Sequence, residues 1–193
     1  MIWDNNDDIR VECCDGTRRH IQSVLDSCRE ERRPYVIIKN ECSAQQSCCS
    51  EVQKGLSRIL VPVSMLEEEV YKAEICTYLA RKTGAHLILL RARDYGSKAK
   101  QNTQRIITHI QTIAERTGEK ISYEEQVAKR DSFSFHKDFH FEGWQHDLLL
   151  LTASREYGLD DWLFGPPELY AIRHSQVPVM VVNPRADLFS LCD

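Results

Sequence analysis

Residues 147–184 read DLLLLTASREYGLDDWLFGPPELYAIRHSQVPVMVVNP. Leu148 to Leu151 is an apolar run without polar alternation, the pattern of a strand covered on both faces. Thr152 to Phe164 is mixed in character, with Gly158 as a turn residue. Gly165, Pro166 and Pro167 suit the start of a helix, where an amide without an intrahelical partner can be given up. Val177 to Val182 is apolar and β-branched, and Asn183-Pro184 ends it. Ligands of open parallel sheets sit outside the carboxyl ends of the strands. The loop after Leu151 is therefore the place for a small-molecule site.

The residues upstream supply the rest of such a sheet. Arg58 to Val63, RILVPV, reads as a buried strand, and Leu66 to Arg81 as an amphipathic helix ended by Gly84. Ala85 to Ala92 gives a second strand. Lys98 to Arg116 is a helix with Ile106, Ile107, Ile110 and Ile113 along one stripe, closed by Gly118. Ile121 to Val127 alternates, as an edge strand does. This order predicts an α/β fold, a doubly wound open parallel five-stranded sheet flanked by helices, over residues 58–193. Residues 1–57 form an N-terminal appendage and linker.

The 193 residues, 42% of them hydrophobic, suit one domain with a sizeable core. A net charge of −4 and the lack of a basic block argue against nucleic acid. No stretch approaches the roughly 18 apolar residues of a membrane span. The N-terminus, MIWDNNDDIR, is acidic and has no apolar signal segment, so a cytoplasmic location is expected. Six of eight cysteines precede residue 50 without a C-x-x-C pair, which reads as scattered thiols rather than a metal site.

The order of elements, and the phrase RHSQVPVMVV (residues 173–182) in particular, resembles the last third of the universal stress protein family. The resemblance implies a Rossmann-like, adenine-nucleotide-binding architecture. Nucleotide-binding members carry a loop of the form G-x-x-G-x(9)-G-[S/T], whose amides hold phosphates. On this chain the four positions are Thr152, Arg155, Gly165 and Pro166, so one glycine survives. Side chains at Thr152 and Arg155 obstruct the close backbone approach that glycine permits. The family's strand-one aspartate, in a phrase like VPVDGS, is replaced by Ser64 after Val63. Val63, Ser64, Thr152, Ser154, Arg155 and Gly165 thus mark a degenerate nucleotide site. No cofactor is expected; the alternative is ATP or AMP, with Arg155 meeting phosphate as a cation.

The resemblance also implies a homodimer through the last strand, residues 177–183. A second occupant of that edge is encoded nearby. Asp15 to Arg33 has helical spacing, and Tyr35 to Ile38 is a compact strand after Pro34. Superposing Pro34 on Pro178 also superposes Arg29 on Arg173 and Ile37-Ile38 on Val181-Val182. This is the pattern of a preceding stress-protein repeat reduced to its tail. A pseudo-dimer with residues 35–39 is then the alternative to the homodimer, because a strand there covers the same edge.

Catalysis has little support. No nucleophile elbow, Walker loop or kinase set occurs, and no catalytic or metal-binding residue is assigned. Adjacent carboxylates at Asp160-Asp161 read as solvated. His136 and His140, four apart with Asp138 and His146 near, leave a metal-dependent phosphate-ester hydrolase as a minor alternative. The leading expectation is a non-catalytic module acting through dimerisation or protein association.

Overall fold

The computed structural model describes residues 10–30, 35–39, 55–93, 96–131, 134–139, 145–153 and 167–183. Among the described residues seven strands form one sheet, β1 (Arg10–Cys14) and β2 (Tyr35–Lys39) lying beside the expected five, in the order β1-β2-β7-β6-β3-β4-β5. Five of them are the expected parallel set: β3 (Arg58–Val63), β4 (His86–Arg91), β5 (Tyr123–Val127), β6 (Leu148–Thr152) and β7 (Val179–Val182). Leu148 to Leu151 and Val179 to Val182 are buried throughout, as continuous apolar runs require when helices cover both faces.

Helices α2 (Lys72–Thr83) and α3 (Lys98–Thr117) cover one face. Their Ile75, Cys76, Leu79, Ile106 and Ile110 pack on Ile59, Val61, Leu87 and Leu150. The opposite face carries α1 (Arg18–Glu30) and α4 (Pro167–His174), with Ile21, Leu25, Leu169 and Ile172 against Leu60, Ile88, Leu149 and Val181. Both α2 and α3 stop at a glycine with positive φ, Gly84 at 74° and Gly118 at 69°, where a side chain would be strained. Asp147 ties the start of β6 to β3, its Oδ2 accepting the amides of Ser57 and Arg58 at 2.8 and 2.9 Å.

Three differences from the sequence reading concern the site and its edge. The helix expected from Leu66 begins instead as a 3-10 turn over Glu67–Tyr71, and only Lys72 onward is α-helical. The appendage is strand–helix–strand, because Arg10–Cys14 forms β1, parallel to β2 (Tyr35–Lys39). Finally, β2 pairs antiparallel with β7, Tyr35 to Ile37 lying opposite Val181 to Val179. A strand has two edges, and those of β7 are taken by β6 and β2. The surface expected to serve a homodimer is occupied within the chain.

Candidate functional site

From β3 the chain winds outward through β4 to β5, whereas from β6 it winds the other way to β7. The reversal point lies between β3 and β6, where α/β sheets open a crevice beyond their carboxyl ends. The β3–β6 register begins with Ile59 opposite Leu148 and Leu60 opposite Leu149 and extends no further. Pro62 contributes to this parting, since it has no amide to donate. The Val63 carbonyl accepts the Ala92 amide at 2.9 Å, toward β4. Backbone groups alternate sides along a strand, so those of Pro62 and Ser64 face the gap toward β6.

Side chains fill that gap. The Ser64 amide and hydroxyl both donate to Glu69 Oε1, at 3.2 and 2.5 Å. Thr152, at the end of β6, donates its hydroxyl to Glu69 Oε2 at 3.4 Å. The Lys72 ammonium pairs with the same Oε2 and donates to the Pro62 carbonyl. Asn102, on α3, donates to the carbonyls of Ser64 and Leu66 at 3.0 and 2.8 Å. Glu69 is 7% exposed and Lys72 1%.

This geometry explains the 3-10 turn: Glu69 must reach back to the Ser64 amide, and the tighter coil brings it there. It also defines the chemistry. The Glu69 carboxylate accepts three donors and faces the Lys72 ammonium, and both side chains are buried. Glu69 thus sets a carboxylate beside Ser64, and Lys72 pairs with it.

Of the expected site residues, Ser64 and Thr152 meet at Glu69 in this gap, whereas the Val63 side chain packs in the core and its carbonyl faces β4. Ser154, Arg155 and Gly165 lie outside the described residues. Glu69, Lys72 and Asn102 were missed. Their signal was position: Lys72 precedes Cys76 by four and Leu79 by seven, and Asn102 precedes Ile106 by four, so each polar group sits on a buried stripe. Glu69 is the third of three consecutive glutamates, so no periodic signal sets it apart.

Elsewhere His136 is a candidate with a described contact, and Asp160 and Asp161 lie outside the described residues. His136 lies in a 3-10 turn (Phe135–Asp138) and meets the Tyr170 ring edge-on at 5.0 Å, while Tyr170 stacks on His174 at 4.0 Å. Burial, with Lys137 and Arg130 adding to it, holds His136 below its ordinary range against the opposing pull of Asp138. The Asp138 carboxylate is held by the Arg130 guanidinium and accepts the Arg130 amide at 2.9 Å. Among the described residues no three His, Cys, Asp or Glu side chains are placed to hold a metal, and His140 lies outside them. Cys76 is fully buried, which pushes its thiol up to about 12. No described helix is long and apolar enough to cross a membrane.

No family model matches the sequence, and no curated protein matches it. Solved structures do. A universal stress protein from Archaeoglobus fulgidus superposes with a TM-score of 0.64 at 16% identity, covering 93% of this chain. The chain spans 62% of that protein's length. A universal stress protein in complex with cAMP gives a TM-score of 0.51 at 14% identity, with 68% of this chain and all of the other covered. A Pseudomonas aeruginosa protein assigned to the same group gives 0.50 at 11% identity, covering 91% of this chain and 63% of its own. The chain has the fold of the universal stress proteins.

Proposed function

We propose that this chain is a non-catalytic stress-protein-like module that acts by associating with other proteins, with the nucleotide site at its strand ends closed by its own side chains. The observation that carries this reading is the Glu69–Lys72 pair, buried between the diverging ends of β3 and β6 and satisfied by Ser64, Thr152 and Pro62. A nucleotide there would have to displace an ion pair and leave its partners uncompensated, a cost of several kcal/mol. A protein with this fold occurs in complex with cAMP, which sets the contrary reading: a sensor that takes an adenine nucleotide here by rearranging the pair.

Calorimetric titration of ATP, ADP, AMP and cAMP into the purified protein, with and without magnesium, separates the two. No saturable heat is expected for any of them. Stoichiometric binding would establish the sensor instead, and Arg155 would then be the first residue to substitute.

A further inference from the structure

The sheet register carries an inference independent of whether any nucleotide binds. The sequence superposition of Pro34 on Pro178 equates Val36 with Met180, and the structure places these two equivalent residues opposite each other. The flanking pairs, Tyr35 with Val181 and Ile37 with Val179, exchange under the same equivalence. A two-fold axis perpendicular to the sheet at the Val36–Met180 pair generates this arrangement. It is the register in which one strand meets a copy of itself: where residue i lies opposite the equivalent of j, residue j lies opposite the equivalent of i.

The relation extends beyond one strand. β1 runs parallel to β2 as β6 does to β7, and their registers carry Cys14 onto Ala153. Both residues are buried in the same half of the core. The superposition places Leu25 of α1 on Leu169 of α4, and these too are buried in that cluster. α1 packs against α4 and over β7, on the sheet face where the rotation puts it. What differs is the connection. β6 leads to α4 through residues 153–166, whereas β1 leads to α1 through Asp15, Gly16 and Thr17. That short turn is closed by Asp15 Oδ1 accepting the Thr17 amide at 2.9 Å and Thr17 Oγ1 accepting the His20 amide at 3.3 Å.

We propose that β1, α1 and β2 are a second β6–α4–β7 unit reduced to its pairing and packing elements, a partner built into the chain. The unit keeps the strands and helix that make contact and lacks the long loop in which a ligand site would lie. It occupies the surface through which residues 58–183 would otherwise bind another copy. The full chain is a self-sealed monomer, and its external partners dock elsewhere.

The test uses the full chain. Directly opposed residues on antiparallel strands lie about 4.5–5.5 Å apart at Cα, within disulfide reach. In V36C/M180C, oxidation followed by peptide mapping is expected to give a 36–180 disulfide within one chain, at the mass of a 22.4 kDa monomer. The same disulfide joining two chains, or a native dimer by light scattering, would overturn the proposal. Ile37→Pro removes a β2 amide from the ladder and is expected to expose β7 and shift the protein to a dimer. A monomer with an unchanged circular dichroism spectrum would show that the edge is not self-complementary. The disulfide result decides the matter on its own where the proline variant fails to fold.

Discussion

Thr152 closes β6 and donates its hydroxyl to Glu69, on the turn that follows β3, across 83 residues of sequence. With Lys72 on the same carboxylate oxygen, this contact joins the two halves of the sheet at the point where they part. The stabilising role of the cluster follows from its burial. A buried charge is tolerable only with its counter-charge and its donors in place.

Substitution of one partner should therefore be far more damaging than substitution of both. Lys72→Met leaves the Glu69 carboxylate buried without a cation and is expected to cost about 3–5 kcal/mol. Glu69→Gln strands the ammonium in the same way. The double variant E69Q/K72M should lose clearly less than the sum of the two, since residues in contact do not act additively. Urea denaturation of the four proteins measures the cycle. Additive losses would mean that the pair is not coupled.

Acid should weaken the fold through two histidines. Burial, then Arg116, lowers His109 below its ordinary 6.5, and burial lowers His136 as well. A base whose folded value is depressed binds fewer protons folded than unfolded. Its neutral form is fully accommodated above about pH 6.5, and stability is lost as pH falls from there through the folded values. The thermal midpoint is expected to drop between about pH 7.5 and 5.5, and to drop less in H109Q/H136Q. An equal drop in the variant would place the acid sensitivity elsewhere.

Glu74 should act with the opposite sign. Desolvation raises its carboxyl above the ordinary 4.5, and its Oε2 is buried without a hydrogen-bond partner among the described residues. The unfolded chain ionises this group more readily than the fold does, so it opposes folding at neutral pH. Glu74→Gln is expected to raise the denaturation midpoint at pH 7 and to give no such gain near pH 4, roughly where the unfolded carboxyl is also protonated. A gain of the same size at both pH values would point to packing instead of charge.

Cys76 should be inert in the native protein. Its thiol is fully buried and pushed up to about 12, so thiolate is scarce at working pH and reagent cannot reach it. Iodoacetamide at pH 8 should leave Cys76 unmodified in the folded chain and alkylate it in urea, as read by peptide mass spectrometry. Native labelling at Cys76 would show that α2 opens readily.

The sheet was legible because its signals are local. Runs such as Leu148–Leu151 and Leu87–Leu90 have a single reading when flanked by helices of apolar period, and Gly84 and Gly118 mark helix ends by a backbone angle that other residues resist. β1 was not legible. Arg10–Cys14, RVECC, is short and half polar, and it becomes a strand by pairing with β2, which a sequence does not display.

At the β3 and β6 ends the residues could be named from the sequence, and their contacts could not. The strand-end rule and the family phrase pointed to Ser64 and Thr152, and the structure brings both side chains onto the Glu69 carboxylate. That Glu69 would be drawn inward could not be read from three consecutive glutamates, because its burial depends on a serine amide left unpaired when β3 and β6 part. Lys72 carried a visible sign, a cation on the stripe that buries Cys76 and Leu79.

The most direct test of the closed crevice is the amide spectrum of isotopically labelled protein during titration with ATP and cAMP to millimolar concentration. The amides of Val63, Ser64, Thr152 and Ala153 should remain where they are, because the gap between β3 and β6 is already filled by Glu69 and Lys72. Saturable shifts concentrated on those four amides would contradict the account, and would mean that the ion pair yields to a nucleotide.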